Sequence, residues 1–163
     1  MSNVTHTPAL VSSCAQAATV KEAAFRIDYP LAAARNTRVV ALDDEALEVV
    51  RSVAGHEWSQ ARFYSTTDPG RELITVAGEV AGLVDEIENS NTVVLVSSNG
   101  ENAEAAATIG SACAVRGIMT AGLVLTPGLV TSESLWTLRP YARILLVPAD
   151  HDDLLELLRA TRA

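Results

Sequence analysis

The segment Thr92–Asn102 constrains the fold of this chain more than any other feature. Its apolar run 93–96 (VVLV) ends abruptly in the polar loop 97–100 (SSNG), and an alanine-rich helical pattern starts at Ala103. That order is typical of a buried parallel strand that leads through a loop into a helix N-terminus. Free backbone N–H groups and the positive end of the helix dipole favour an anion at such a junction. We therefore expect a binding loop here.

Strand and helix patterns alternate on both sides of this segment. The chain predicts strands at 38–42, 61–65, 93–96, 118–125 and 143–147. It predicts helices from the acidic turn 43–45 to Gly55, over 72–88, over 102–115, from about 132 to 139, and after Asp150. Five strands that alternate with five helices indicate an α/β fold. We expect a three-layer Rossmann-like or flavodoxin-like sandwich, in which helices cover both faces of a five-stranded parallel sheet.

The segment 72–88 is the ambiguous part of this pattern. Its beginning, LITV, has the composition of a strand. Over the longer window, however, apolar residues recur at spacings of three and four, which is the period of a helix. We therefore predict one long helix, with Gly78 and Gly82 on one side of it.

Length and pattern together indicate one α/β domain behind an N-terminal arm. At 163 residues the chain is long enough for a single sizeable core, whereas two domains would each be small. Residues 1–36 lack the regular alternation and contain the pattern of one short helix. We interpret 1–36 as the arm and 37–163 as the domain.

Charge and composition narrow the choice of partners. With 12 basic and 20 acidic residues, the formal net charge of −8 disfavours nucleic acid and anionic membrane surfaces. The N-terminus lacks a basic region followed by a continuous apolar run, and no apolar run approaches the roughly 20 residues needed to span a bilayer. We expect a cytoplasmic protein.

In a parallel sheet, polar residues that follow the strands collect at one edge, and a ligand is expected in the crevice there. The predicted ligand-binding residues are therefore Ser97, Ser98, Asn99, Gly100, Glu101, Asn102 and Thr126. They favour a small anionic metabolite, for example a phosphorylated one.

Asp43 and Asp44 form a pair of carboxylates after the first strand, and oxygen ligands of this kind suit a hard cation such as Mg²⁺. The alternative is that they are the acids that commonly begin a helix. The cluster 150–153 (DHDD) also offers ligand atoms. Its residues are consecutive in the first turn of a helix and point in different directions, so we interpret it as a cap.

The sequence VVLVSSNGENAEAA resembles the phosphosugar loop of sugar isomerase (SIS) domains, in which a strand ends in Ser-x-Ser-Gly-x-Thr. Ser97 and Gly100 match the first Ser and the Gly, while Asn99 and Asn102 replace the second Ser and the Thr. The resemblance implies that hydroxyls and backbone amides of this loop grip a sugar phosphate.

A second resemblance covers residues 38–162 and is to the receiver domains of response regulators. Asp43 and Asp44 match the acid pair that holds magnesium, and Thr126 matches the switch threonine. Ser97 replaces the acceptor aspartate and Val147 replaces the lysine before proline. The resemblance implies a receiver-like domain that has lost aspartyl phosphotransfer and is retained for binding.

Three hypotheses about function follow. The leading one is a regulatory α/β domain that binds a small anionic metabolite and is not, or only weakly, catalytic. The alternative is a receiver-like module that cannot be phosphorylated and acts through a protein partner or as a homodimer or other oligomer. The third is an enzyme that uses the crevice for a reaction the sequence does not specify.

Overall fold

Seven strands form one mixed sheet in the computed structural model, which describes residues 33–125 and 132–163. The strands are β1 (Thr37–Ala41), β2 (Ala61–Ser65), β3 (Glu72–Thr75), β4 (Val80–Gly82), β5 (Thr92–Ser97), β6 (Met119–Leu125) and β7 (Ile144–Ala149). The helices are α1 (Asp44–Ala54), α2 (Leu83–Glu88), α3 (Ala103–Arg116), α4 (Ser132–Leu138) and α5 (His151–Ala160). The predicted α/β class is confirmed.

The strand order is β4-β3-β2-β1-β5-β6-β7. β2, β1, β5, β6 and β7 pair in parallel, whereas β3 is antiparallel to β2 and β4 is antiparallel to β3. The five predicted strands therefore form a parallel block. The prediction of a purely parallel five-stranded sheet is wrong for the sheet as a whole, because a hairpin extends one edge.

The hairpin replaces the first part of the predicted 72–88 helix. Gly78 has a φ of 93°, and its N–H donates to the carbonyl of Thr75, so a turn forms where the helix was expected. Val76 and Val80, which the helical period assigned to the buried face, are 39% and 66% exposed. Two glycines lower helix propensity by about 1 kcal/mol each, which favours the strand conformation of LIT. Only the last part, α2, is helical.

The sheet separates two apolar clusters. On one face, Val39, Val94 and Leu123 pack with α1 and α5. On the other face, Val40 and Leu95 pack with α2, α3 and α4. Helices therefore cover both faces, and the loops that follow the parallel strands lie together at one edge. None of the helices in the described ranges combines the length and apolar character that crossing a membrane requires.

Two backbone contacts join residues 35 and 36 to the α/β domain. The N–H of Arg35 donates to the carbonyl of Arg162, and the N–H of Asn91 donates to the carbonyl of Asn36. These residues belonged to the predicted arm, yet they contact the α/β domain. Residues 1–32, which include the predicted short helix, lie outside the described residues.

A buried ion pair joins the central strand β1 to α2. The Arg38 side chain on β1 is 5% exposed, and its Nε donates to Glu86 Oε2 at 2.9 Å. The Tyr64 hydroxyl donates to the same carboxylate oxygen. Burial, followed by the hydrogen bond to Glu86 and its negative charge, raises the pKa of Tyr64 from 10.0 to about 12. Glu86 therefore neutralises a buried guanidinium and keeps the phenol protonated.

We expect Tyr64→Phe to remove an alkaline loss of stability. In the wild-type protein, Tyr64 ionises in the unfolded chain above pH 10 but not in the folded chain until about pH 12. Stability from this group is therefore complete below pH 10 and falls by up to about 3 kcal/mol as the pH rises through 12. Tyr64→Phe should cost about 1 kcal/mol at pH 7 and lose less than wild type between pH 10 and 12.

Urea unfolding at pH 10 and at pH 12 measures how much stability each variant loses between the two. Tyr141→Phe is the matched control. Equal alkaline losses in wild type and Tyr64→Phe would contradict the expectation.

Candidate functional site

The loops that follow β1 and β5 meet at the edge of the parallel block. β1 and β5 are adjacent, and the N–H of Leu42, just after β1, donates to the carbonyl of Val96 at 2.9 Å. Asp43 therefore lies beside the predicted binding loop 97–102. The structure brings together the predicted acid and the predicted loop, which are more than 50 residues apart in the chain.

The Asp43 carboxylate organises this loop. Asp43 is 6% exposed, and its Oδ1 accepts from the Ala46 N–H at 2.9 Å and the Ser98 hydroxyl at 2.7 Å. Its Oδ2 accepts from the Ser98 N–H at 2.7 Å, the Ser97 hydroxyl at 3.2 Å and the Asn99 N–H at 3.5 Å. One side chain thus caps α1 and accepts hydrogen bonds from two hydroxyls and two backbone amides of the loop.

The next two amides of the loop are also occupied from within it. The Gly100 N–H donates to Ser97 Oγ at 3.1 Å, and the Glu101 N–H donates to Asn99 Oδ1 at 2.9 Å. Gly100 has a φ of 86°, and a Cβ there would lie 2.9 Å from the backbone of Glu133 at the start of α4. The loop is therefore closed by its own side chains and lies directly against α4.

A second carboxylate occupies the N-terminus of α3. Asp68, in the loop after β2, accepts from the Ala105 N–H at 2.7 Å through Oδ1. Asn102, the N-cap in left-handed conformation, receives the Asp68 N–H at 3.0 Å and donates to the Leu42 carbonyl at 2.6 Å. Sequence reasoning missed this role of Asp68. The available signal was its place in the polar turn Thr67–Gly70, where Asp is common.

These contacts bear on the predicted anion. Asp43 accepts the loop amides, and Asp68 accepts an N–H at the positive end of the α3 dipole. Both positions that were expected to hold a phosphate or carboxylate of a ligand are thus filled by carboxylates of the chain. The prediction of an anionic ligand stays a prediction, and the geometry argues against it.

The predicted magnesium ligands fit a cation poorly. Both oxygens of Asp43 face N–H and O–H donors, whereas a cation needs free oxygen lone pairs. Asp44 is exposed in the first turn of α1. Within residues 33–125 and 132–163, no group of three or more His, Cys, Asp or Glu side chains is arranged to hold a metal ion. The role of Asp44 as an acid at a helix N-terminus accounts for its position.

Thr126, the last predicted ligand-binding residue, lies outside the described residues. Its neighbour Leu125 ends β6 and is 6% exposed. Val147, the residue that replaces the receiver-type lysine, lies on β7.

A cavity of about 260 Å³ opens at this edge between the beginnings of α1 and α5, and we call it the edge cavity. Apolar side chains form much of its wall. Its lining residues are Glu45, Val49, Ser98, Leu125, Ala149, Asp150 and His151. Of the predicted binding residues, Ser98 alone among those described lines it.

His151 is the titratable ring in the edge cavity, and we had interpreted it only as part of a helix cap. Its side chain is 36% exposed, and its Nδ1 lies 3.2 Å from Asp152 Oδ1. Its ring centroid is 6.2 Å from that of His56. The capping prediction is confirmed for its neighbour, because Asp150 and Asp153 form a reciprocal capping box at α5. The sequence placed His151 beside this cap but gave no sign that its ring reaches the cavity wall.

A smaller cavity of about 110 Å³ lies on the other side of Asp43. Polar residues that follow β1, β2 and β5 line it, among them Asp44, Thr66 and Glu101. The predicted loop thus divides between two cavities, with Ser98 in the larger one and Glu101 and Asn102 in the smaller one. Three acids around the smaller cavity make it unfavourable for an anion.

In comparisons with known proteins, no family model and no curated protein matches the chain. The receiver-like and sugar isomerase resemblances therefore stay predictions, and function has to be argued from the site.

We expect Asp43→Asn to destabilise the domain by about 3 kcal/mol at pH 7, because it removes a buried charge that five donors share and aims an NH₂ group at donors. Asp44→Asn is the matched control. It changes an exposed acid in the same turn and should cost about 0.5 kcal/mol or less. Urea unfolding gives both values. Equal losses would show that Asp43 does not organise the loop.

Proposed function

We propose that this domain binds a small molecule in the edge cavity and has a regulatory role. The observation that carries the proposal is the cavity itself: an apolar wall with a few convergent polar groups, at the carboxyl edge of a parallel block. That is the position and composition expected of a ligand site in this class of fold. Its volume of about 260 Å³ suits a compact ligand.

The polar groups of the cavity indicate the charge of the ligand. Glu45 and Asp150 bring two acids to the wall, and His151 brings an imidazole whose Nε2 has no hydrogen-bond partner among the described residues. The wall between them includes Val49, Leu125 and Ala149. We propose a ligand with an apolar body and a cationic or hydrogen-bond-donating group, because acids at the rim disfavour an anion.

The chemistry of the loop supports binding over catalysis. The hydroxyls of Ser97 and Ser98 both donate to the Asp43 carboxylate. An activated serine nucleophile instead donates to a general base such as histidine, which a third group orients. The loop hydroxyls are therefore engaged in holding the loop in shape.

The strand order favours one alternative. Taken alone, the parallel strands β2-β1-β5-β6-β7 follow the order 2-1-3-4-5, which is that of flavodoxin-like folds. We propose this finer classification, and with it a receiver-like interaction module as the second candidate function. In such a module, Ser97 would occupy the acceptor position at the end of β5, where it is fully buried and bonded to Asp43.

For this second candidate, we expect no covalent phosphate after incubation with acetyl phosphate and Mg²⁺, because a serine hydroxyl cannot form an acyl phosphate. Intact mass spectrometry measures the result. A mass increase of one phosphate group would contradict the proposed loss of phosphotransfer, and mapping the modified residue would show which group replaces the aspartate.

For the leading proposal, a thermal-shift screen should compare compact amines and amides that carry an apolar group with sugar phosphates and nucleotides. A ligand at a hundredfold excess over its Kd stabilises the native state by about 2.7 kcal/mol. We expect shifts in the first group. Val49→Trp enlarges a side chain of the cavity wall so that it fills part of the cavity, and it should abolish these shifts. Val115→Trp, at a residue 85% exposed on α3, is the control and should leave them unchanged.

The outcomes distinguish a ligand in the edge cavity from the anionic ligand predicted from the sequence. Shifts by sugar phosphates that Val49→Trp leaves intact would show that the anionic ligand predicted from the sequence is right and the edge cavity is not its site. The absence of any shift across the panel would contradict ligand binding by this domain.

A further inference from the structure

Two histidines from distant parts of the chain lie beside each other, and one of them, His151, lines the edge cavity. His56 follows the C-terminal end of α1, and His151 is the first residue of α5. Their ring centroids are 6.2 Å apart. His56 is exposed and the side chain of His151 is 36% exposed, so both rings are open to solvent and to small solutes.

The hydrogen bonds of the two rings leave the same nitrogen free in each. Nδ1 of His56 lies 3.2 Å from the carbonyl oxygen of Val53. Nδ1 of His151 lies 3.2 Å from Asp152 Oδ1. A carbonyl or carboxylate oxygen only accepts, so each contact places the ring hydrogen on Nδ1 and the lone pair of the neutral ring on Nε2. Neither Nε2 has a hydrogen-bond partner among the residues that the structure describes.

This arrangement is the one that metal-binding histidines commonly have. A histidine that binds a metal through one nitrogen usually donates its other N–H to a backbone carbonyl or a carboxylate, which fixes the tautomer and the ring orientation. The spacing of the rings is also suitable. With Zn–N bonds of about 2.0–2.1 Å, two rings that share one ion have centroids about 5–6 Å apart. A small rotation of either side chain would bring the observed separation into that range.

The surroundings of His56 hold its ring in place. The ring centroid of Trp58 is 6.4 Å from that of His56, and Trp58 Nε1 donates to the same carbonyl of Val53 at 2.9 Å. Trp58 in turn lies against Phe63 on β2, with ring centroids 6.2 Å apart. The formal net charge of −8 favours a cation over an anion at the surface.

We propose that His56 and His151 together bind a divalent transition-metal ion of the kind that imidazole prefers, such as Zn²⁺ or Cu²⁺. Most zinc sites have three or four protein ligands. With only two, this ion exchanges with solvent and water completes its coordination. Nε2 of His151 is also the acceptor offered to the proposed cavity ligand, so the ion and that ligand compete for it. Metal binding itself does not rest on the cavity ligand.

The test uses Trp58 as a reporter, because Cu²⁺ quenches the emission of a tryptophan close to it. Cu²⁺ is the probe since it binds nitrogen sites most tightly among the first-row divalent ions. The chain has two tryptophans, so Trp136→Phe leaves Trp58 as the emitter. We expect saturable quenching of this full-length variant at one ion per chain, reversed by EDTA. Trp58→Phe is the matched control. Its remaining tryptophan is on α4, which packs on the other face of the sheet, and should show no saturable quenching over the same range.

Histidine variants in the Trp136→Phe background identify the ligands. His56→Ala and His151→Ala should each raise the dissociation constant for Cu²⁺ at least tenfold. His6→Ala changes the third histidine of the sequence and should leave the constant unchanged. An excess of Mg²⁺, which prefers oxygen ligands, should not reduce the quenching. Circular dichroism shows whether each variant is folded, and His56→Gln and His151→Gln replace any alanine variant that is not.

Three outcomes would overturn the proposal. The first is that Trp58 shows no saturable quenching. The second is that quenching persists unchanged in both variants of the pair or is lost in His6→Ala, which would place the ion elsewhere. The third is that Mg²⁺ competes with Cu²⁺, which would indicate a carboxylate site. These titrations contain no cavity ligand, so their result is separate from that of the thermal-shift screen.

Discussion

The site at the carboxyl edge depends on one buried carboxylate. Asp43 follows the first strand, caps the first helix and accepts hydrogen bonds from the loop that follows β5. An ionised group that is 6% exposed is stable only if donors replace its hydration, and five donors do so here. The same contacts fix the loop in a single shape. The geometry of the edge is therefore a consequence of solvating one charge from within the protein.

On the other side of the domain a buried positive charge is stabilised by contacts within the protein. Arg38 is buried on β1, and the Glu86 carboxylate on α2 neutralises it. Because α2 begins directly after β4, this pair also holds the end of the hairpin close to the sheet. Asp43 thus shapes the loops of one edge, while Glu86 anchors the helix behind the other. In both places the polar contact stabilises the fold.

Much of the fold could be predicted because its signals are local. The apolar run before Ser97 and the alanine-rich pattern after Ala103 each specify their element without reference to distant residues. The prediction of a helix over 72–88 failed because it, too, used only local signals. Leu73, Leu83 and Ile87 are buried as expected, but a hairpin and a short helix bury them as well as one helix would. Only the turn at Gly78 distinguishes the two, and a period of three and four does not detect it.

The site was harder to predict because its contacts are distant in the chain. The sequence places polar residues after β1 and β5, and the structure brings them together as expected. It does not reveal that Asp43 accepts from Ser98, 55 residues away, or that Asp68 accepts from Ala105, 37 residues away. A carboxylate that binds a ligand and a carboxylate that replaces one have the same local sequence. The distinction requires knowing which donors surround it.

The long separation in sequence between Asp43 and the loop 97–102 also determines at what stage of folding the loop takes its shape. Closing a contact between distant residues costs chain entropy that is recovered only when the strands between them have paired. A peptide of residues 92–116 would contain every side chain of the loop and the whole of α3, but it would lack the carboxylate that gives the loop its shape. The shape of the loop is therefore a property of the assembled domain, acquired with its tertiary structure and lost with it.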